Sequence, residues 1–123
     1  MVAYILVVDD DAIFVEVISR FLRREGYQVS TAFNGLEALE KVKQAPPDLI
    51  TLGVAMPEMD GFTACRLLKE DAQTARIPII LLTGLGEPEY RARGFEAGAD
   101  DYITKPVDRI LLRTRIRALL HTQ

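Results

Sequence analysis

Apolar residues along this chain fall into two alternating kinds of segment: short continuous runs, and longer stretches in which they recur every three or four positions. Ala3 to Val8 is an unbroken apolar run, rich in β-branched residues and too short for a good helix, so it predicts a strand. The pairs Ile13/Phe14, Val17/Ile18 and Phe21/Leu22 recur at a spacing of four, which predicts a helix stopped by Gly26. Tyr27 to Thr31 alternates apolar with polar, as a half-exposed strand does. Leu36, Leu39 and Val42 predict a second helix, ended by Pro46-Pro47. Leu49 to Leu52 is strand-like, and Phe62, Cys65 and Leu68 predict a third helix reaching about Asp71. Ile79 to Leu82, after Pro78, reads as a fourth strand. Glu89 to Ala97 reads as a short polar helix closed by Gly98, and Asp101 to Thr104 as a fifth strand. Asp108 is placed to cap a last helix carrying Leu112, Ile116 and Leu119.

Five strand-then-helix units imply a parallel sheet with helices on both faces. The first, third and fourth strands are nearly all apolar, as strands covered on both faces must be. The second and fifth mix polar with apolar residues, as edges tolerate. One α/β domain over residues 1–123 is expected, in an arrangement that puts those two strands at the margins and that right-handed crossovers make feasible. It is a doubly wound five-stranded parallel sheet of order 2-1-3-4-5, flavodoxin-like, with five helices. In such a sheet the functional crevice lies at the carboxyl ends of the strands, near the order reversal between the first and the third.

Composition narrows the function classes. A chain of 123 residues suits one domain, and 49% hydrophobic against 27% charged residues supplies one core, which excludes disordered and collagen-like readings. A net charge of −3 argues against nucleic-acid binding by bulk positive charge. The single cysteine, Cys65, can form no internal disulfide and gives no metal-ligand spacing; a small buried residue in a reducing compartment is the simplest expectation. No basic leader precedes the first apolar run, and no apolar stretch approaches the roughly 20 residues of a spanning helix. The expectation is a soluble, cytoplasmic domain with no membrane partner.

Specific residues gather at the strand ends. The first strand runs into Asp9-Asp10-Asp11, the third into Gly53, the fourth into Thr83-Gly84 and the fifth into Thr104-Lys105-Pro106. Clustered carboxylates repel one another and lose hydration, so they call for a cation or a lysine partner. One reading makes the triplet a solvated loop in which an aspartate caps the helix starting near Ala12. The arrival of Thr83 and Lys105 at the same rim favours a hard-cation or phosphate-type site. The stretches Ile5-Leu6-Val7-Val8-Asp9-Asp10, Pro47-Asp48-Leu49-Ile50, Met56-Pro57-Glu58-Met59-Asp60-Gly61, Pro78-Ile79-Ile80-Leu81-Leu82-Thr83, Gly98-Ala99-Asp100-Asp101-Tyr102 and Lys105-Pro106 occur in one order and spacing. Together they resemble the receiver domain of two-component response regulators, over essentially the whole length. The resemblance implies phosphorelay signalling with no enzyme activity. It implies that Asp10 directly, Asp9 largely through water and the Ala55 backbone carbonyl hold Mg²⁺. Lys105 would pair with phosphoryl oxygens, Thr83 would donate a hydroxyl hydrogen bond to them, Tyr102 would be the rotating aromatic, and Lys105-Pro106 would be a cis peptide, with Pro106 structural.

The resemblance breaks at one position. In Leu52-Gly53-Val54-Ala55-Met56-Pro57, Gly53 stands where the family carries its phosphoacceptor aspartate. Glycine can form no acyl phosphate and removes a direct ligand, so Mg²⁺ binding is expected to be weak or absent. Asp48 and Asp60 belong to neighbouring motifs and do not replace the acceptor without moving Met56-Pro57. The expectation is that Lys105 neutralises Asp9 and Asp10 directly and that the domain is a phosphate-independent protein-interaction module. An alternative is an ordinary phosphorylatable receiver carrying an introduced Asp-to-Gly change at 53. A remote one is a haloacid-dehalogenase-like phosphatase using Asp9 and Asp11, for which the chain is short and position 13 is Ile. By resemblance, the partner surface is the face of the fourth helix, fifth strand and fifth helix, meeting a sensor kinase or a fused effector domain, in a monomer or weak homodimer. Arg109, Arg113, Arg115 and Arg117 lie on the last helix, and an Asp101–Arg115 pair across a dimer is suggested. The competing reading is a solvated basic face with surface pairs worth at most about 1 kcal/mol each. Leu111 departs from the acidic residue often found there, and Tyr90 is expected to be exposed. His121 is expected to be inert.

Overall fold

The computed structural model describes residues 2–121. Strand β1 (Tyr4–Val8) lies between β2 (Gln28–Ala32) and β3 (Leu49–Leu52); β4 (Ile79–Thr83) follows β3, and β5 (Asp101–Thr104) forms the far edge. All pairings are parallel. Val8 stands opposite both Ala32 and Leu52, Leu52 opposite Leu81, and Thr83 opposite Thr104, so the carboxyl ends finish level with one another. This is the expected order, and burial accounts for it. Every residue of β3 and β4 is buried, whereas β2 and β5 keep partly exposed positions.

Helices α1 (Ala12–Arg24) and α5 (Arg109–His121) cover one face of the sheet, packing Val15, Ile18, Leu22, Leu112 and Ile116 onto Ile5, Val7, Leu49, Ile80 and Leu82. Helices α2 (Gly35–Gln44), α3 (Gly61–Glu70) and α4 (Pro88–Glu96) cover the other, over Leu6, Val8, Ile50, Leu52, Ile79 and Leu81. Each fully buried Leu or Ile contributes about 1.5–3 kcal/mol. Side-chain caps start four of the helices. Asp11 accepts from the N–H groups of Ile13 and Phe14, Asn34 from Glu37, Asp60 from Thr63, and Asp108 from Ile110 and Leu111. Gly26 and Gly98 stop α1 and α4 at φ of 98° and 99°, a region costly for residues with a side chain.

Boundaries differ from expectation in places, each for a local reason. Strand β2 begins at Gln28 rather than Tyr27, because the Tyr27 N–H is drawn back to the Leu22 carbonyl in the helix exit. Helix α2 stops at Gln44, ahead of the prolines, with the Ala45 N–H on the Lys41 carbonyl. Its buried face is Ala38 and Val42, and Leu36 is turned outward. Helix α1 buries Val15, Ile18, Ser19 and Leu22, leaving Ile13 at 77% and Val17 at 48% exposure. Away from the crevice, Lys69 Nζ donates to the carbonyls of Ala75 and Ile77 and to Asp100 Oδ2, which also accepts from the Ile79 N–H. Lys69 thereby fastens the α3–β4 connection to the start of β4.

Candidate functional site

The carboxyl ends of β1, β3, β4 and β5 bring Asp9, Gly53, Thr83 and Lys105 to one crevice. Ladder bonds position the first two: the Asp9 N–H donates to the Ala32 carbonyl at 3.1 Å, and the Gly53 N–H to the Val8 carbonyl at 2.8 Å. Asp9 is 2% exposed. Its Oδ1 accepts from the Asp11 N–H at 3.0 Å and its Oδ2 from Lys105 Nζ at 2.9 Å. Lys105 Nζ also lies 4.1 Å from the centre of the Phe14 ring. A carboxylate this deeply buried needs such a partner, and breaking a buried pair by removing one member costs about 3–5 kcal/mol. Asp10 is exposed and, among the described residues, forms no ion pair, so the expected neutralisation of both aspartates by Lys105 reduces to Asp9 alone. Asp11 is committed to capping α1.

Gly53 is buried against Asp9. A Cβ there would stand 2.8 Å from Asp9 Oδ2 and 3.2 Å from its Cγ. Behind it, the Gly53 carbonyl packs onto Gly61, whose N–H donates to the Val54 carbonyl at 2.8 Å. Ala55 is exposed in the connecting loop. The side chain of Asp60 caps α3, and Asp48 accepts from the Tyr4 N–H at the opposite end of the sheet; neither reaches the crevice. For Mg²⁺, which takes six oxygen ligands in strict geometry, this donor set is a poor fit. Both Asp9 oxygens are engaged, Gly53 supplies no carboxylate, and no group of three or more acidic, His or Cys side chains converges among the described residues.

Thr83 and Tyr102 meet through one residue. Thr83, 4% exposed, accepts the Leu85 N–H at Oγ1, and the Tyr102 hydroxyl donates to the Leu85 carbonyl. The Tyr102 ring lies inward against Gly94 and Leu81, with the Arg91 guanidinium 5.1 Å from its centre. Burial pushes the Tyr102 hydroxyl above the ordinary tyrosine range, and Arg91 partly offsets this. The Lys105–Pro106 peptide bond is cis.

Outward from Tyr102, a cavity of about 310 Å³ between α4, β5 and α5 is lined by Arg91, Asp101, Asp108, Leu111 and Arg115 among others. Arg115 pairs with Asp101 at 3.2 Å within the one chain, and Arg113 and Arg117 with Glu25 at 3.7 and 3.4 Å. Three of the four arginines on α5 are thus ion-paired inside the molecule, and the fourth, Arg109, lies 6.0 Å from the centre of the Phe21 ring. Tyr90 is half-buried against the core, contrary to the expectation of exposure, because α4 turns it toward the sheet. Sequence reasoning missed Phe14, Leu85 and Gly94 as parts of the site. Phe14 carried a signal, an aromatic in the first turn after a buried carboxylate. Leu85 acts through its backbone, which sequence does not advertise.

The model of the response regulator receiver domain family matches residues 5–117. The chain is 43% identical over 116 residues to the DNA-binding dual master transcriptional regulator RpaA of Synechocystis sp., covering 94% of this chain and 48% of that protein. It is 47% identical over 119 residues to the response regulator PleD of Caulobacter vibrioides, covering 97% of this chain and 26% of that one. The chain therefore spans half or less of these relatives. Among solved structures, the receiver domain of a signal transduction histidine kinase from Syntrophus aciditrophicus superimposes with a TM-score of 0.92 at 41% identity, covering 98% of this chain and 91% of that one. The chemotaxis protein CheY4 of Vibrio cholerae superimposes with a TM-score of 0.90 at 33% identity, covering 97% and 99%. Among the described residues no helix is long and apolar enough to cross a membrane. The match over nearly the whole chain, on a sheet of the same strand order, places this protein in the response regulator receiver domain family of two-component signalling.

Proposed function

We propose that this receiver works without phosphorylation, as a protein-interaction module whose docking face is α4–β5–α5. The observation that carries the reading is Gly53: at the carboxyl end of β3, beside Asp9 and Lys105, the chain offers a hydrogen atom where the family's acyl phosphate needs a carboxylate. Phosphoryl transfer requires a nucleophilic oxygen in line with the donor, and Gly53 has none. Asp9 is the nearest carboxylate, and its oxygens are held by Lys105 and the Asp11 N–H. With no phosphoryl group to favour one pose of Thr83 and Tyr102 over another, their equilibrium is set by packing alone. The partner is a sensor kinase or an effector domain, joined or separate, and nucleic acid is not contacted by this domain directly. The chain is a monomer or weak homodimer in cytoplasmic surroundings.

A second reading, an ordinary receiver carrying an introduced change at position 53, is favoured by the Asp9-Asp10 pair, Thr83 and Lys105 that the chain carries at its strand ends. Incubation with a small-molecule phosphodonor and Mg²⁺ followed by intact-mass measurement tests the main reading. The unaltered chain is expected to gain no phosphate, and Gly53→Asp to gain one. A phosphate-sized gain on the unaltered chain contradicts it.

A further inference from the structure

We propose that the Lys105 ammonium is the resident cation of the crevice, positioned by the Phe14 ring as well as by Asp9, and that it keeps divalent cations out. This rests on the reading of Gly53 as a position without its carboxylate. Three observations carry it. Lys105 Nζ is held from two sides, 2.9 Å from Asp9 Oδ2 and 4.1 Å from the Phe14 ring centre. Both contacts are to groups that prefer a cation, one by charge and one by ring quadrupole. The Asp9 side chain is 3% exposed, so a dication would have to displace a fixed, largely desolvated partner to reach it. Finally, Asp9 Oδ2 lies only 2.8 Å from where a Cβ on Gly53 would stand, so the bare backbone leaves the carboxylate room for this pose.

Phe14 acts here as a positioning residue. The Asp11 cap accepts its N–H and fixes the first turn of α1, which sends Ile13 outward and leaves the Phe14 ring half-buried beside Lys105. A groove of about 350 Å³, lined by Phe14, Val17, Lys105, Pro106 and Val107 among others, adjoins the lysine. Lys105 therefore has space to swing away. Crowding does not confine it; attraction does. Mg²⁺ dehydrates reluctantly and needs several anionic oxygens, and Asp9 Oδ2 cannot be one of them while the ammonium stays.

The test is an Mg²⁺ titration followed by amide NMR of the Asp9, Asp10 and Ala55 signals, without any phosphodonor. Lys105→Met is expected to bind Mg²⁺ at least about tenfold more tightly than the unaltered chain, because a fixed like charge is removed. Phe14→Leu is expected to tighten binding about threefold, and Phe14→Tyr, which keeps the ring, to leave it unchanged. In the unaltered chain the Lys105 side-chain protons should carry an upfield ring-current shift that Phe14→Leu abolishes while the rest of the spectrum is retained. Equal Mg²⁺ affinity in all four proteins would overturn the proposal, as would an unshifted Lys105. These outcomes are independent of the phosphodonor experiment: a phosphate adduct there would defeat the reading of Gly53 and leave the Lys105 measurement standing on its own.

Discussion

Two glycines matter for what their lack of a side chain does. Gly53 presents no nucleophile, which is the basis of the proposed phosphate-independent role. At Gly94 the absent methyl makes room, since a Cβ there would fall 2.8 Å from the Tyr102 ring and 2.9 Å from Leu81. Gly94→Ala gains about 1 kcal/mol of helix propensity but overpacks the slot at a cost of about 1–3 kcal/mol. A net loss of up to about 2 kcal/mol in denaturant unfolding is expected, with the Tyr102 ring displaced from Leu85. A gain of stability would show that the slot is roomier than described. Cys65 gives a second prediction at this scale. It is buried and free, and burial pushes its thiol from 9.0 up to about 11, partly offset by Lys69. The folded chain then holds a proton that the unfolded chain gives up, so stability falls as pH rises from about 9 towards 11. Cys65→Ala should flatten that slope by at most about 1.4 kcal/mol per pH unit. An unchanged slope in the alkaline unfolding series would assign the loss to other groups.

Among the elements, the strands were legible and the helix faces only partly so. Strand order follows from which runs are apolar throughout, because a parallel strand covered on both faces admits little else. The faces of α1 and α2 depend on the angle at which each helix meets the sheet, and adjacent apolar pairs do not specify that angle. The pairs Ile13/Phe14 and Val17/Ile18 therefore predict the helix without saying which member faces the sheet, and nothing in the pattern marks Val15 and Ser19 as buried. The observed face makes a sharp contrast measurable by urea unfolding. Ile18→Ala should cost about 2–5 kcal/mol, and Ile13→Lys within about 0.5 kcal/mol of nothing. A large loss at Ile13 would contradict the observed face. The crevice residues were easier to find, because Asp9, Thr83 and Lys105 each follow directly on a strand end and topology alone brings them together. Their pairing was harder to foresee. Whether Lys105 meets Asp9 or Asp10 depends on side-chain direction at the β1 exit, and there Asp9 points inward while Asp10 faces solvent.

For the molecule as a whole, the crevice and the α4–β5–α5 face are joined through Leu85, whose N–H meets Thr83 and whose carbonyl meets Tyr102. In this arrangement the inward Tyr102 is supported by the Leu85 carbonyl, the Gly94 slot and Arg91, none of which involves a phosphoryl group. On the proposed phosphate-independent reading, the α4–β5–α5 face is already set in this arrangement. Amide NMR spectra of the chain with and without a small-molecule phosphodonor and Mg²⁺ test this most directly. Superimposable spectra are expected at Thr83, Leu85, Tyr102 and along α4 and α5. Concerted shifts of those signals on adding the phosphodonor would contradict it.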